Sequence, residues 1–415
     1  MQAGARRKLR CVDFAGAAFT FAHLMAGLVI KPRSRILHGH DWVYASEVLK
    51  AFGAPQDGDV VSLKDGQDRL LGSAIFISKS QIVARRFSRQ RQELDGEFFA
   101  RRIRLAVEYR ARRGLDPRLG RMVWSESDGL PGLIVDRYGD HLVVQTLTLA
   151  MDARKALIVE ALRAVLEPRS IIERNDAPVR KAEGLELVTG VLWGEAPGPF
   201  PVVIEGLEFE IDLQHGQKTG FYLDQVGSYA AVAAHAAGRR VLDCFANQGA
   251  FALACAKAGA ASVTAVEISE DACENIRRNA TRNSLTVDVR ADNVFDFLKA
   301  ADSVGGSAPY DLIILDPPSF TRSKGKLEDA LRGYKDIHLR ALKLLAPDGM
   351  LATFCCSHHV SRGDFLHMIN DATVDTKRTL RQIATFSQAA DHPIIPTLPE
   401  TEYLKGFLFE LAPGR

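Results

Sequence analysis

From Arg240 to Phe354 the chain alternates short apolar runs with helix-like stretches, and no other feature limits its fold as tightly. The runs are Arg240-Val-Leu-Asp243, Ser262-Val-Thr-Ala-Val-Glu267, Val287-Asp-Val-Arg290, Asp311-Leu-Ile-Ile-Leu-Asp316 and Met350-Leu-Ala-Thr-Phe354. Strands joined through helices run parallel and are buried on both faces, because each crossover helix lies over the sheet. The expectation is therefore an α/β domain built on a Rossmann-like, doubly wound, mainly parallel sheet.

In such a sheet a ligand sits beyond the carboxyl ends of the strands, so the residues ending each run are the ones to read. The first run ends in Asp243 and continues Cys244-Phe245-Ala246-Asn247-Gln248-Gly249. Gly249 permits close approach of backbone to a ligand, and Phe245 and Asn247 belong to the same turn. One glycine is not the G-x-G-x-x-G cradle of a pyrophosphate, which argues against NAD and against a P-loop. The second run ends in Glu267, a position from which a carboxylate accepts hydrogen bonds from ribose hydroxyls; Ile268 lies beside it. Asp292 and Asn293 follow the third run, where either can meet an adenine amino group. The succession Asp243, Gly249, Glu267, Asp292 resembles the order of contacts that class I methyltransferases make to S-adenosyl-L-methionine. The bland alternative is that these are strand-end caps and turn residues.

The fourth run ends in Asp316-Pro317-Pro318-Ser319-Phe320. Two prolines cannot continue a ladder and each restricts the residue before it, so the segment reads as a rigid rim able to clamp a planar base. Phe320 offers a stacking surface. A similar loop serves methylation of exocyclic amines, so this motif leaves two chemistries open. Cys356, just past the next run, separates them. Carbon 5 of a pyrimidine is too poor a nucleophile to take a methyl group until a thiolate has added to carbon 6, whereas an amine methyltransferase needs no thiol. Against this stands the tendency of free cysteines to be small buried hydrophobes. Cys355 points the opposite way if the strand persists and is expected to pack. His358 and His359 are candidates to tune the thiol or shuttle a proton. The proton on carbon 5 must also leave, and Asp316 is the nearest carboxylate for that step, with binding of the cytosine amino group or of the methionine part of the cofactor as its alternative roles.

Ahead of this half, residues 28–87 read as short β segments, Gly72–Ile77 and Ile82–Phe87 among them, broken by turns at Asp57-Gly58 and Asp65-Gly66. An arginine-dense stretch follows, with Arg85, Arg86, Arg89, Arg91, Arg101, Arg102, Arg104, Arg110, Arg112 and Arg113. It is either a solvated helix face or a phosphate-contacting patch. From Met122 to Val191 the pattern is α+β, with a helix over Ala153–Leu166, and a Gly/Pro cluster at Pro197–Pro201 marks a boundary. With 415 residues, two to three domains are expected. A formal net charge of +2 gives no global attraction to polyanions, so any such contact must be local. The six cysteines lack paired CxxC spacing, which excludes a zinc site and a disulfide scaffold and fits a reducing cytoplasmic setting. The stretch Cys11–Ile30 is moderately apolar but is interrupted by Asp13 and His23, so an upstream extension is expected rather than a signal peptide or a span.

Longer strings carry a resemblance. They include Gly39-His-Asp-Trp-Val-Tyr44, Glu126-Ser-Asp-Gly-Leu-Pro-Gly-Leu-Ile-Val-Asp-Arg137, Gln214-His-Gly-Gln-Lys-Thr-Gly-Phe-Tyr-Leu-Asp-Gln225, Arg332-Gly-Tyr-Lys-Asp-Ile337 and Gln388-Ala-Ala-Asp-His-Pro-Ile-Ile395. With them the chain, from Leu28 to Leu411, resembles the RlmI family of bacterial large-subunit ribosomal RNA cytosine-C5 methyltransferases. The resemblance implies a PUA RNA-binding domain at 28–95, an α+β EEHEE domain at 96–198 and a class I methyltransferase domain at 199–415. Residues 1–27 form an extension without an assigned role. It further implies that Lys218–Gln225 closes over the cofactor, with Gln225 toward the cofactor and Lys218 toward the substrate. The cysteine directly before the serine, Cys356, maps onto the reactive thiol. The implied partner is 23S rRNA or a large-subunit assembly intermediate, with no membrane and no metal, and a homodimer is left open. Two departures matter: Cys355 stands where the family often has Ser, and the chain begins ahead of the family's usual start. An exocyclic-amine RNA methyltransferase, a non-catalytic rRNA-binding assembly factor and a small-molecule methyltransferase are the rival readings.

Overall fold

A computed structural model describes residues 26–413 apart from Gln217, 304–308, 322 and 323; nearly all of the amino-terminal extension, Cys11 included, thus lies outside the described residues. Residues 27–88 form a six-stranded sheet in the order 42–44, 82–88, 70–76, 60–64, 27–30, 48–52. Its core gathers Leu28, Ile30, Val43, Val61, Leu63 and Ala84. Gly72 sits at φ 133°, and a Cβ there would fall 2.0 Å from the Ser88 carbonyl, so the pairing of the last two strands depends on glycine.

A second unit opens with the helix Gly96–Arg112, capped where the Asp95 carboxylate accepts from the Phe98 amide. Five strands follow in the spatial order 188–193, 170–175, 141–146, 133–138, 119–124, with the helix Lys155–Leu166 between the third and fourth in sequence. Where the resemblance implied two strands ahead of that helix, the structure has three. The additional one, Leu119–Trp124, carries Arg121 into the interior.

A hairpin, Phe200–Ile204 with Leu207–Ile211, leads into the third unit. Its amides at Glu208 and Glu210 donate to the side-chain oxygens of Asn283 and Asn279 on the helix Glu270–Arg282, which fixes the hairpin against the sheet's outer layer. The sheet itself has seven strands: β1 (Arg240–Cys244), β2 (Ser262–Glu267), β3 (Asp288–Ala291), β4 (Tyr310–Leu315), β5 (Leu345–Cys355), β6 (Leu380–Phe386) and β7 (Lys405–Leu411). They lie in the order β3-β2-β1-β4-β5-β7-β6, parallel except for β7, which runs antiparallel to both neighbours. Reversal of strand order on either side of β1 opens a crevice at the carboxyl ends of β1 and β4. Val241, Leu242, Ile313, Ile314 and Leu351 are fully buried, as a sheet covered on both faces requires. Among the described residues no helix is long and apolar enough to cross a membrane.

Candidate functional site

The strand ends converge as the sequence order implied. After β1, the turn Phe245–Gly249 places three residues in left-handed backbone: Phe245 at φ 64°, Asn247 at 50° and Gly249 at 79°. The Glu267 carboxylate at the end of β2 holds this turn, accepting from the Asn247 amide at 2.9 Å and the Ser269 amide at 3.0 Å. Two accepted bonds leave further lone-pair positions on the same carboxylate. Ile268 beside it is 67 % exposed, a bare apolar face at the rim. Asp292 is exposed, whereas the Asn293 side-chain oxygen is engaged by the Phe295 amide at 2.9 Å.

Asp243 is buried, with one carboxylate oxygen accepting from the Ala252 amide and the other without a partner. Burial first, then the neighbouring Asp316 and Glu267, pushes its carboxyl well above the usual range. The side-chain oxygens of Gln225 and Asn247 are also buried without a partner. Such orphaned acceptors around one crevice are a physical demand for donors. The α-ammonium of S-adenosyl-L-methionine supplies up to three, so the residues fit that group. No cluster among the described residues could hold a metal.

Above this crevice the segment Lys218–Gln225 is pinned from three directions. Thr219 donates to Asp136 at 2.5 Å, the Phe221 amide donates to the Tyr138 hydroxyl at 2.9 Å, and the Gly220 carbonyl accepts from Gln248. Gln225 donates to Asp316 at 2.7 Å. Lys218 stands 3.1 Å from the Asp224 carboxylate and 3.8 Å from the Tyr222 ring centre. Asp224 also accepts from the Tyr403 hydroxyl at 2.7 Å. Burial opposes its charge, but Lys218 and His392 together hold its carboxyl far below the ordinary value.

Cys356 lies just past β5, half-buried, with its sulfur 3.9 Å from the Pro317 carbonyl oxygen. Burial, and after it the adjacent Asp316, push the thiol up to about 12, while Lys218 pulls it down. Asp316 itself is pushed up to about 7 by burial, aided by Asp224 and opposed by Gln225 and Lys218. These charges, rather than His358 or His359, are the thiol's leading neighbours. Cys355 packs as expected: it is fully buried and its sulfur donates to the Tyr334 hydroxyl at 3.5 Å.

Pro317 is buried and Pro318 exposed, so only part of the rim faces outward. Phe320 lies 4.5 Å from the Tyr334 ring, with Phe295 at 5.8 Å and Phe245 at 6.5 Å. Its ring supports the rim from behind, and Gly333 lets the helix Leu327–Leu344 approach it, since a Cβ there would stand 3.3 Å away. Sequence reasoning missed Tyr222, Asp224 and Tyr403. Tyr403 is 179 residues from its partner Asp224, a distance at which no spacing pattern can signal contact.

Residues 186–409 match the S-adenosylmethionine-dependent methyltransferase family, and residues 31–89 match the PUA-like domain family. The chain is 40 % identical over 379 residues to the ribosomal RNA large subunit methyltransferase I of Erwinia tasmaniensis, covering 90 % of this chain and 95 % of that protein. It is 41 % identical over 393 residues to the protein of the same name from Aeromonas hydrophila, covering 92 % and 98 %. Among solved structures, a protein from Streptococcus mutans described as an S-adenosylmethionine-dependent methyltransferase superposes with a TM-score of 0.79 at 22 % identity, covering 92 % of this chain and 99 % of that one. A methyltransferase solved with SAH superposes with a TM-score of 0.80 at the same identity and coverage. At that identity the likeness bears on the fold.

Proposed function

Because the chain belongs to the family of the ribosomal RNA large subunit methyltransferase I, within the S-adenosylmethionine-dependent methyltransferases, we propose that it methylates carbon 5 of a cytosine in 23S rRNA through a covalent adduct to Cys356. One observation carries the chemistry: a half-buried thiol at the end of β5 lies against the Asp316-Pro317 rim at the end of the adjacent β4. An amine methyltransferase would use that rim with no thiol beside it.

In this reading Asp243, Asn247 and Gln225 receive the methionine part of the cofactor. Glu267 takes the ribose, and Ile268 and Asp292 take the adenine. S-adenosyl-L-methionine, when bound, supplies an electrophilic methyl group and leaves as its demethylated thioether. Pro317 and Pro318 hold the edge of the base, with Phe320 as their support, and Lys218 keeps positive charge near the thiol, favouring thiolate. The Cys356 thiolate adds to carbon 6, forming an S–C bond and driving the electron pair of the 5–6 double bond onto carbon 5. Carbon 5 takes the methyl group. Asp316, ionised, or a water it orients then removes the carbon-5 proton; the electron pair re-forms the double bond and the thiolate is expelled. Methyl transfer and loss of one proton balance the reaction.

The same reading makes residues 28–95 an RNA-binding module and 96–198 an EEHEE-type spacer ahead of the catalytic unit at 199–415. It also makes the cytoplasm the place of action, on 23S rRNA free or within an assembling large subunit, with a homodimer as the assembly to look for by light scattering. Replacement of Cys356 by Ala tests the thiol. Methylation of rRNA is expected to vanish while S-adenosylmethionine binding by calorimetry persists, and C355A should remain active. Wild-type rates in C356A would overturn the mechanism. Mapping 5-methylcytosine across rRNA in a deletion strain identifies the nucleotide.

A further inference from the structure

A cleft of about 1080 Å³ among the described residues shares no lining residue with the strand-end site. Its walls come from all three units: the end of the strand Ile82–Ser88 and its continuation, the helix Gly96–Arg112, and the loop Pro393–Ile395. Three carboxylates line it, and each is already engaged. Asp41 pairs with Arg86 at 2.7 Å, Glu126 with Arg85 at 2.8 Å and Asp128 with Arg110 at 2.9 Å.

Four further arginines line the same cleft, Arg89, Arg101, Arg102 and Arg113, and none forms an ion pair with a described residue. Three of them, Arg101, Arg102 and Arg113, are nevertheless held in place. Arg101 donates to Gln92 at 2.9 Å, Arg102 donates to the Phe87 carbonyl at 3.1 Å, and both lie over the Phe98 ring. Arg113 lies 5.4 Å from the Tyr109 ring centre. Burial, and then repulsion from Arg101, holds the Arg102 guanidinium below its ordinary value. Positioned cations crowded together beside carboxylates that are already paired with other arginines are arranged for a polyanion. Leu105, 48 % exposed, and Tyr109 add an apolar floor.

We propose that this cleft between the three units grips the phosphate backbone of the substrate RNA through Arg89, Arg101, Arg102 and Arg113. The inference rests on the reading that the protein acts on rRNA, and it narrows that reading to one surface. It also divides the arginine-dense stretch: Arg85, Arg86 and Arg110 are internal ties, and only the unpaired members face the ligand.

Two full-length variants with the same change in net charge test it: R101E/R113E inside the cleft and R91E/R104E on the same stretch outside it. Binding of 23S rRNA fragments is measured against salt, with methylation kinetics and S-adenosylmethionine affinity in parallel. For R101E/R113E the expectation is at least about tenfold weaker binding, a salt slope flatter by about 2, and a raised KM with unchanged cofactor affinity. R91E/R104E should stay close to wild type. R101Q/R113Q, which keeps the side-chain bulk, should reproduce the flatter slope and guards against misfolding. Equal losses in the two charge-reversal pairs would mean that only net charge matters and would overturn the cleft. So would no loss in either, while wild-type methylation leaves the functional reading standing. Failure of the wild type to bind or methylate rRNA overturns both.

Discussion

Cys356 and Asp316 form a pair whose protonation states oppose each other. The thiol is pushed up to about 12, in part by the Asp316 charge, and Asp316 is pushed up to about 7 by burial. A thiolate and an ionised base are both needed, so activity should climb from pH 6 through neutrality toward alkaline pH, read as kcat against pH. Substituting Asp316 by Asn removes one negative neighbour. Alkylation of Cys356 by iodoacetamide, followed by mass spectrometry so that Cys355 is scored separately, should then begin at lower pH. K218M should shift it to higher pH, and a profile insensitive to both changes would dissociate the thiol from this cluster. Stability follows the linkage sign. Asp316 has a raised folded pKa, so its contribution is complete below the unfolded value near 4 and is lost as pH rises through about 7. Asp224 behaves oppositely: its carboxyl is depressed, and its contribution is present above the ordinary carboxylate range and lost on acidification.

At the scale of elements, the turn after β1 is the part that tolerates least. Gly249 combines φ 79° with a would-be Cβ 3.0 Å from the Ile276 side chain. G249A should cost about 1–2 kcal/mol in urea unfolding from the left-handed backbone alone, and weaken S-adenosylmethionine more than it weakens rRNA. The hairpin ahead of the sheet depends on Asn279, fully buried, whose side chain accepts from the Glu210 amide and donates to the Gln248 carbonyl. N279L leaves that amide unsatisfied and should destabilise by about 1–3 kcal/mol. Because Gln248 also touches the Gly220 carbonyl, the loss should loosen the covering segment and show as faster amide exchange there.

Across the whole molecule, the second and third units are joined by buried charge. Arg121 makes two bonds to Asp136, at 2.7 and 2.8 Å, and Asp136 is fully buried and reaches Thr219 of the covering segment. Arg110 donates to the carbonyl of Asp391, whose carboxylate accepts from the Arg121 amide. R121M strands the Asp136 charge and should cost about 3–5 kcal/mol, with cofactor affinity falling too because Thr219 is anchored by the same carboxylate. A loss of stability without any loss of cofactor affinity would separate the joint from the site. Trp42 and Arg85 tie the first unit to Glu126 in the same manner.

The parallel sheet was legible because burial on both faces makes near-continuous apolar runs, and the gathering of the run-ending residues at one edge was legible because parallel strands end on the same side. That Asp243, Glu267 and Asp292 stand at strand ends and Gly249 in the turn after β1 needed only local order to be read, and the alternate facing of Cys355 and Cys356 followed from strand geometry. The Asp224–Lys218–Tyr403 cluster, the engagement of Asn293 as a cap and the enclosure of Phe320 by Tyr334 were decided by tertiary structure. So was the division of ten neighbouring arginines into ties and free cations, since a carboxylate partner far along the chain leaves no mark on local spacing. Sequence fixes periodicity and the chemistry carried at each position; which charges meet, and which are left for a ligand, depends on contacts that only the folded chain brings within hydrogen-bond reach.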